Sequence, residues 1–194
     1  MSKNNELSIN YLYNSIEDIQ GVIRALDTKL NYLLVILMVP LTKFNSIYKI
    51  SFDAYKKALS YYALEYLVVL IFIFFVLSWV FAFALAIRGI IGIDNPANHV
   101  YGTKQKGTFY GGYLYKISLN ELFLNSTTQS QQNIEEYLLD VPEEIESIKK
   151  ELVFEQMKLI YIRSIKMARH RYAFIFGIIW VICGGVIWLA SLSL

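Results

Sequence analysis

The sequence predicts a mainly α-helical membrane protein. It should have three transmembrane helices, long helices extending from them into the cytosol, and a small glycine- and aromatic-rich insert able to hold a short β-hairpin. Three observations predict this. Tyr66 to Ile87 and Tyr172 to Leu194 run for 22 and 23 residues without a charged side chain, enough helix to cross about 30 Å of hydrocarbon. Hydrophobic residues make up 56% of the 194-residue chain and charged residues 18%, against roughly 45–50% and 25% in ordinary globular domains. From Ile9 to Leu37 an apolar residue recurs every three or four positions, the period of a helix with one buried seam.

Residues 1–29 read as an amphipathic cytosolic helix. Its seam, Ile9, Leu12, Ile16, Ile19, Ile23, Leu26, Leu30, Leu33 and Leu37, carries the helix into the membrane without a break. Residues 30–87 hold membrane segments 1 and 2 and their connecting loop. Segment 1, Leu30 to Leu41, is apolar for 12 residues and contains Asn31 and Pro40. It crosses only by recruiting flanking turns from about Ala25 to Tyr48, and an interfacial or re-entrant helix is the alternative. Met1 to Gln20 has no apolar core, so no cleaved signal is expected.

Residues 88–142 form the insert. Six of the ten glycines fall here with Pro96, Tyr101, Phe109, Tyr110, Tyr113 and Tyr115, which suggests turns and a hairpin around Thr108 to Ile117. Ser118 to Glu121 fits a capping box opening a short helix at Leu119, and Ser126 to Asn133 reads as an exposed loop. After Pro142 a second long helix should run unbroken to Leu194, with residues 143–171 as a cytosolic stalk and 172–194 as segment 3. Glu143 and Glu144 suit the positive end of its dipole. Its stripe Ile145, Ile148, Leu152, Met157, Ile160, Ile165 and Ala168 could meet the N-terminal seam, or that seam could meet a second copy of itself.

Lys158, Arg163, Lys166, Arg169 and Arg171 precede segment 3. The positive-inside rule then places residues 88–171 in the cytosol and the C-terminus outside. Lys43, Lys49, Lys56 and Lys57, against Asp53 alone, run counter to that rule in the loop between segments 1 and 2.

A net charge of +2 from 18 basic and 16 acidic residues gives no electrostatic case for nucleic acid. The lone Cys183, inside an apolar run, excludes a disulfide framework within one chain. His99 and His170 stand apart, and no HExxH, GxSxG, GxGxxG or P-loop spacing occurs, so neither an enzyme nor a metal site is expected. Asn125-Ser126-Thr127 matches a glycosylation sequon that a cytosolic loop would not use. Candidate ligand-binding residues are Lys104, Lys106, Tyr110 and Tyr113, because ammonium groups meet phosphate while rings stack on bases. A small aromatic core with solvated lysines is the other reading. Arg163, Lys166 and Arg169 could capture a phosphate or anchor to anionic headgroups. Asp27, Lys29 and Arg88, at the membrane mouths, are candidate gating positions; in an assembly Asp27 and Lys29 could form a charged ring, and alone they would snorkel.

Several short motifs bear a resemblance. Asp27-Thr28-Lys29 stands at the first membrane mouth, Phe109-Tyr110-Gly111 precedes the Ser-capped helix, and Gln156, Ile160, Tyr161, Arg171 and Tyr172 punctuate the last helix. In this order they resemble the transmembrane effectors of Pycsar antiphage systems, over most of the chain. The resemblance implies a multi-pass bacterial inner-membrane protein that responds to a cyclic nucleotide, a cyclic pyrimidine mononucleotide made by a partner cyclase, and impairs the membrane as a homo-oligomer. It implies that nucleotide as activating ligand and no cofactor. A constitutive scaffold recruiting a partner through its N-terminal coiled coil, and a sensorless holin-like pore, are the alternative readings.

Overall fold

The computed structural model describes residues 3–61, 64–93, 95–102, 108, 114–115 and 129–193. Among them are six α-helices and no strand: α1 (Lys3–Leu37), α2 (Val39–Thr42), α3 (Phe44–Ala58), α4 (Leu64–Ile90), α5 (Ile134–Asp140) and α6 (Ile145–Ser193), with a 3-10 turn at Pro96–His99. They form two compact units, residues 1–22 with 94–163 and residues 23–93 with 164–194.

In the first unit the α1 seam meets α6 of the same chain. Ile16, Ile19, Leu152 and Phe154 are buried. Lys149 Nζ donates to Asn5 Oδ1 at 3.0 Å and Gln156 Nε2 to Ser15 Oγ at 2.7 Å, so the two helices run parallel here. The expected α6 stripe is corrected at three places: Met157, Ile160 and Ala168 are exposed, while Glu151, Glu155 and Lys166 are buried. Reading apolar residues alone misplaces the stripe, because its inner face carries paired charges. α5 opens on a capping box in which the Asn133 side chain accepts from Glu136 N at 2.7 Å and Glu136 Oε2 accepts from Asn133 N at 3.1 Å. That Asn-x-x-Glu spacing at the end of the polar run is readable in sequence. Tyr137 OH donates to the Thr108 carbonyl at 2.8 Å. Of the expected hairpin, only Thr108, Leu114 and Tyr115 are described, and none is in a strand. The rest of it, and the short helix at Leu119, lie outside the described residues.

In the second unit Leu30 and Leu37 are fully buried against Ala82, Ala86 and Ala173. Ser78, Ala82, Ala86 and Gly89 form a buried small-residue row on α4, which allows close helix approach. A Cβ added at Gly89 would lie 2.7 Å from Leu30 Cδ1. Among the described residues two helices, α4 and α6, are long and apolar enough to cross a membrane.

Segment 1, read from the sequence as a short apolar stretch recruiting turns from about Ala25 to Tyr48, is interrupted. α1 stops at Leu37, and α2 begins at Val39 with Pro40 in its first turn. Proline lacks an amide donor and disfavours helix at the residue before it, so the break falls where those constraints act. The expected connecting loop is instead helical. Ala54 and Ala58 of α3 are fully buried with Val68 of α4 and Ile187 of α6, and Lys57 Nζ donates to the Ser191 carbonyl at 2.8 Å. Its residues follow an amphipathic period: Ile47, Ile50, Ala54 and Ala58 continue into Phe44, Tyr48 and Phe52 as one apolar arc, with Asn45, Lys49, Asp53 and Lys56 opposite.

Candidate functional site

Within the second unit, five of the sequence-derived candidates converge where the apolar runs begin or end. The Lys166 ammonium pairs with the Asp27 carboxylate, joining α6 to α1. Lys166 is only 5% exposed, and a buried cation without a counter-charge is costly. The Asp27 side chain keeps 38% exposure, so solvent screens the pair and its contribution is discounted to about 1–2 kcal/mol. Arg169 Nη1 donates to the Arg88 carbonyl, one of the last carbonyls of α4. This satisfies a group left without a helical partner and sets a cation at the negative end of the dipole. Lys29 lies near His170, whose imidazole is held below its ordinary pKa first by burial and then by the Lys29 charge. Arg171 is also exposed here. Asp27 thus pairs with the buried Lys166 while Lys29 and Arg169 add positive charge on the same two helices, groups of the kind that meet phosphate oxygens.

The first unit holds a cleft of about 360 Å³ lined by Val100, Tyr101, Glu146, Lys149, Lys150, Val153, Phe154 and Met157. It brings Lys149, hydrogen-bonded to Asn5, and Lys150 beside the fully exposed Tyr101, with Phe154 buried at its base, cations and a ring of the kind expected at the insert but built here partly from the start of α6. Glu146 in the same lining disfavours a multiply charged anion. Sequence reading missed Lys149 and Lys150 because they are ordinary surface lysines until the 3-10 turn brings Tyr101 beside them. A second concavity, of about 310 Å³, lies between Tyr13, Tyr137, Pro142 and Glu151. Burial raises the pKa of the nearby Glu155 carboxyl, and the Glu151 charge adds to the shift while Lys158 opposes it. Arg163, the third basic candidate, has its Nε buried with no hydrogen-bond partner among the described residues. Lys104, Lys106, Tyr110 and Tyr113 lie outside the described residues.

No family model matches the chain, and neither a curated protein nor a solved structure is significantly similar to it.

Proposed function

We propose that the chain is a non-enzymatic, multi-pass effector of the bacterial inner membrane, with its bulk in the cytosol. It would sense a cyclic nucleotide of the cCMP or cUMP type made by a partner cyclase, and would oligomerise or rearrange to impair the bilayer. The third crossing in this reading is the interrupted stretch Leu30 to Ala58. One observation carries the proposal: α6 is a single helix that bears Lys149 and Lys150 of the cleft near its start and an apolar run long enough to cross a membrane at its end. A ligand acts only through different affinities for two states, and a cleft sharing a helix with a span gives it a route. A cyclic mononucleotide fits the lining chemically, since it presents a flat base and a phosphodiester with a single charge, which Glu146 tolerates better than a dianion.

The test uses full-length protein in liposomes loaded with a self-quenched dye, with binding and dye release measured for cCMP, cUMP, cyclic oligonucleotides and linear 5′-monophosphates. Binding of a cyclic mononucleotide with release, both abolished by Lys149→Ala with Lys150→Ala, is expected. Absence of both binding and release for every nucleotide removes the reading.

A further inference from the structure

In the second unit α1 and α6 lie side by side and point the same way, with Lys166 paired to Asp27 at one level and Gly177 next to Leu33 further along. Between them runs a groove of about 250 Å³, whose walls include Leu33, Ile36, Phe174, Gly177, Trp180 and Val181. Among the described residues no charged side chain lines it. Ile36, Phe174 and Val181 are each more than half exposed, so the groove opens outward from the bundle. Its depth depends on Gly177, where an added Cβ would already stand 3.8 Å from Leu33 Cδ1. Phe174 and Ile182, at its two ends on α6, are the third and eleventh residues of the uncharged run from Tyr172. The groove therefore starts just inside the apolar edge and follows it for about 12 Å of helix.

At about 100° per residue, Lys29, Leu33 and Ile36 share an arc of about 60° on α1, and His170, Phe174, Gly177 and Val181 share one of about 60° on α6. Each helix thus places a basic residue one turn before its first groove residue, at the same end. The two are near enough for the Lys29 charge to act on the His170 imidazole. Asp27, two residues before Lys29, is engaged by Lys166. An apolar channel with positive charge at one mouth matches a molecule with a hydrocarbon tail and an anionic head. We propose that this groove binds an anionic phospholipid, with one acyl chain lying between α1 and α6 and the phosphate meeting Lys29 and an N–H of His170. A phosphate there offsets the charge that Lys29 imposes on the imidazole, and accepts charge-assisted hydrogen bonds. Compact ligands fill pockets of about 300–1,000 Å³ in which several polar groups converge. These walls carry none beyond the Trp180 indole, which favours a chain. The inference rests on α6 crossing the membrane and is independent of nucleotide sensing.

The test is electron paramagnetic resonance of full-length protein in phosphatidylcholine vesicles holding a trace of chain-labelled phosphatidylglycerol or chain-labelled phosphatidylcholine, the immobilised fraction giving relative affinity. A preference of about fivefold for phosphatidylglycerol is expected. Lys29→Gln should remove most of it. Arg24→Gln deletes the same charge from an exposed position about 140° away around α1 and should leave it intact. Gly177→Leu keeps every charge but fills the groove, so it should abolish the preference, whereas Gly177→Ala should retain it. Equal affinity for the two lipids overturns the proposal. So does an equal effect of Lys29→Gln and Arg24→Gln, which would mean general attraction to a basic surface, or a preference untouched by Gly177→Leu. No immobilised lipid of either kind places α6 outside the bilayer and overturns both this site and the membrane reading. Phosphatidylglycerol preference lost in Lys29→Gln and Gly177→Leu, without any nucleotide-evoked dye release, supports the lipid site and removes only the sensing reading.

Discussion

The indole Nε1 of Trp79 donates a 2.8 Å hydrogen bond to the carbonyl of Leu37, where α1 ends. Leu41 N bonds to the Met38 carbonyl rather than to Leu37, so the break frees the Leu37 oxygen at a level flanked by apolar side chains. An unsatisfied carbonyl in such surroundings is costly. Trp79→Phe should therefore lower stability by about 1–3 kcal/mol, read as a fall in thermal midpoint in detergent. Trp180, whose Nε1 is buried with no hydrogen-bond partner among the described residues, is the control: Trp180→Phe should cost clearly less. Equal losses would show that ring volume, not the hydrogen bond, sets the effect.

Asp27 and Lys166 differ in exposure, and their variants should differ accordingly. Asp27→Asn leaves a buried cation unpaired, whereas Lys166→Gln leaves a carboxylate that water still reaches. The first should destabilise more, and the double variant should show a coupling of about 1–2 kcal/mol in a double-mutant cycle. Additive losses would mean that the two groups act independently.

Acidification should act on the two units with opposite sign. His170 has a lowered pKa in the fold, so the unfolded chain takes up its proton first, and stability present above about pH 6.5 falls as pH drops toward the depressed midpoint. Glu155 has a raised pKa, so its contribution is full below the ordinary carboxylate value and is lost as pH rises through the folded one. His170→Phe should flatten the slope just below neutrality in thermal melts. Glu155→Gln should raise the midpoint at neutral pH relative to that at acidic pH, with loss of the Lys158 pairing subtracting from the gain.

Gly89 faces the Leu30 side chain, which is fully buried among Leu37, Ala82, Ala86 and Ala173. Gly89→Ala should cost about 1–3 kcal/mol, the range for overpacking, and Leu30→Ala should relieve part of that cost in the double variant. At Gly185, where an added Cβ meets nothing within 4 Å, alanine should not destabilise. A Gly89→Ala protein as stable as the parent would show that the approach is looser than this contact implies.

The most legible parts were those where one physical constraint acts alone. Each of the nine α1 seam residues is buried or half-buried, because a helix with a single apolar stripe has one face to bury. The two uncharged runs fall in α4 and α6, since no competing pattern interrupts them. Asp27, Lys29, Arg88, Lys166 and Arg169 were each identifiable as charges flanking apolar helix, yet which would pair depended on helix register, a tertiary property. α3 escapes a reading by span length, because a 15-residue helix carrying Lys49, Lys56 and Lys57 holds no long uncharged run, although its apolar and polar arcs are those of an amphipathic helix. The buried Glu151 and Glu155 were missed because carboxylates are almost never fully buried unless paired, and Lys158, which pairs with Glu155, lies on the same helix.

The α1–α6 pairing also bears on how the protein is made. Ser15 and Gln156 are 141 residues apart, so at about 5–20 residues per second α1 emerges roughly 7–28 s before its partner surface exists. During that interval Ile16 and Ile19 have no native cover. A nascent chain in this state offers an adhesive strip to chaperones or to a neighbouring nascent chain, and ribosome pausing ahead of α6 would lengthen its exposure.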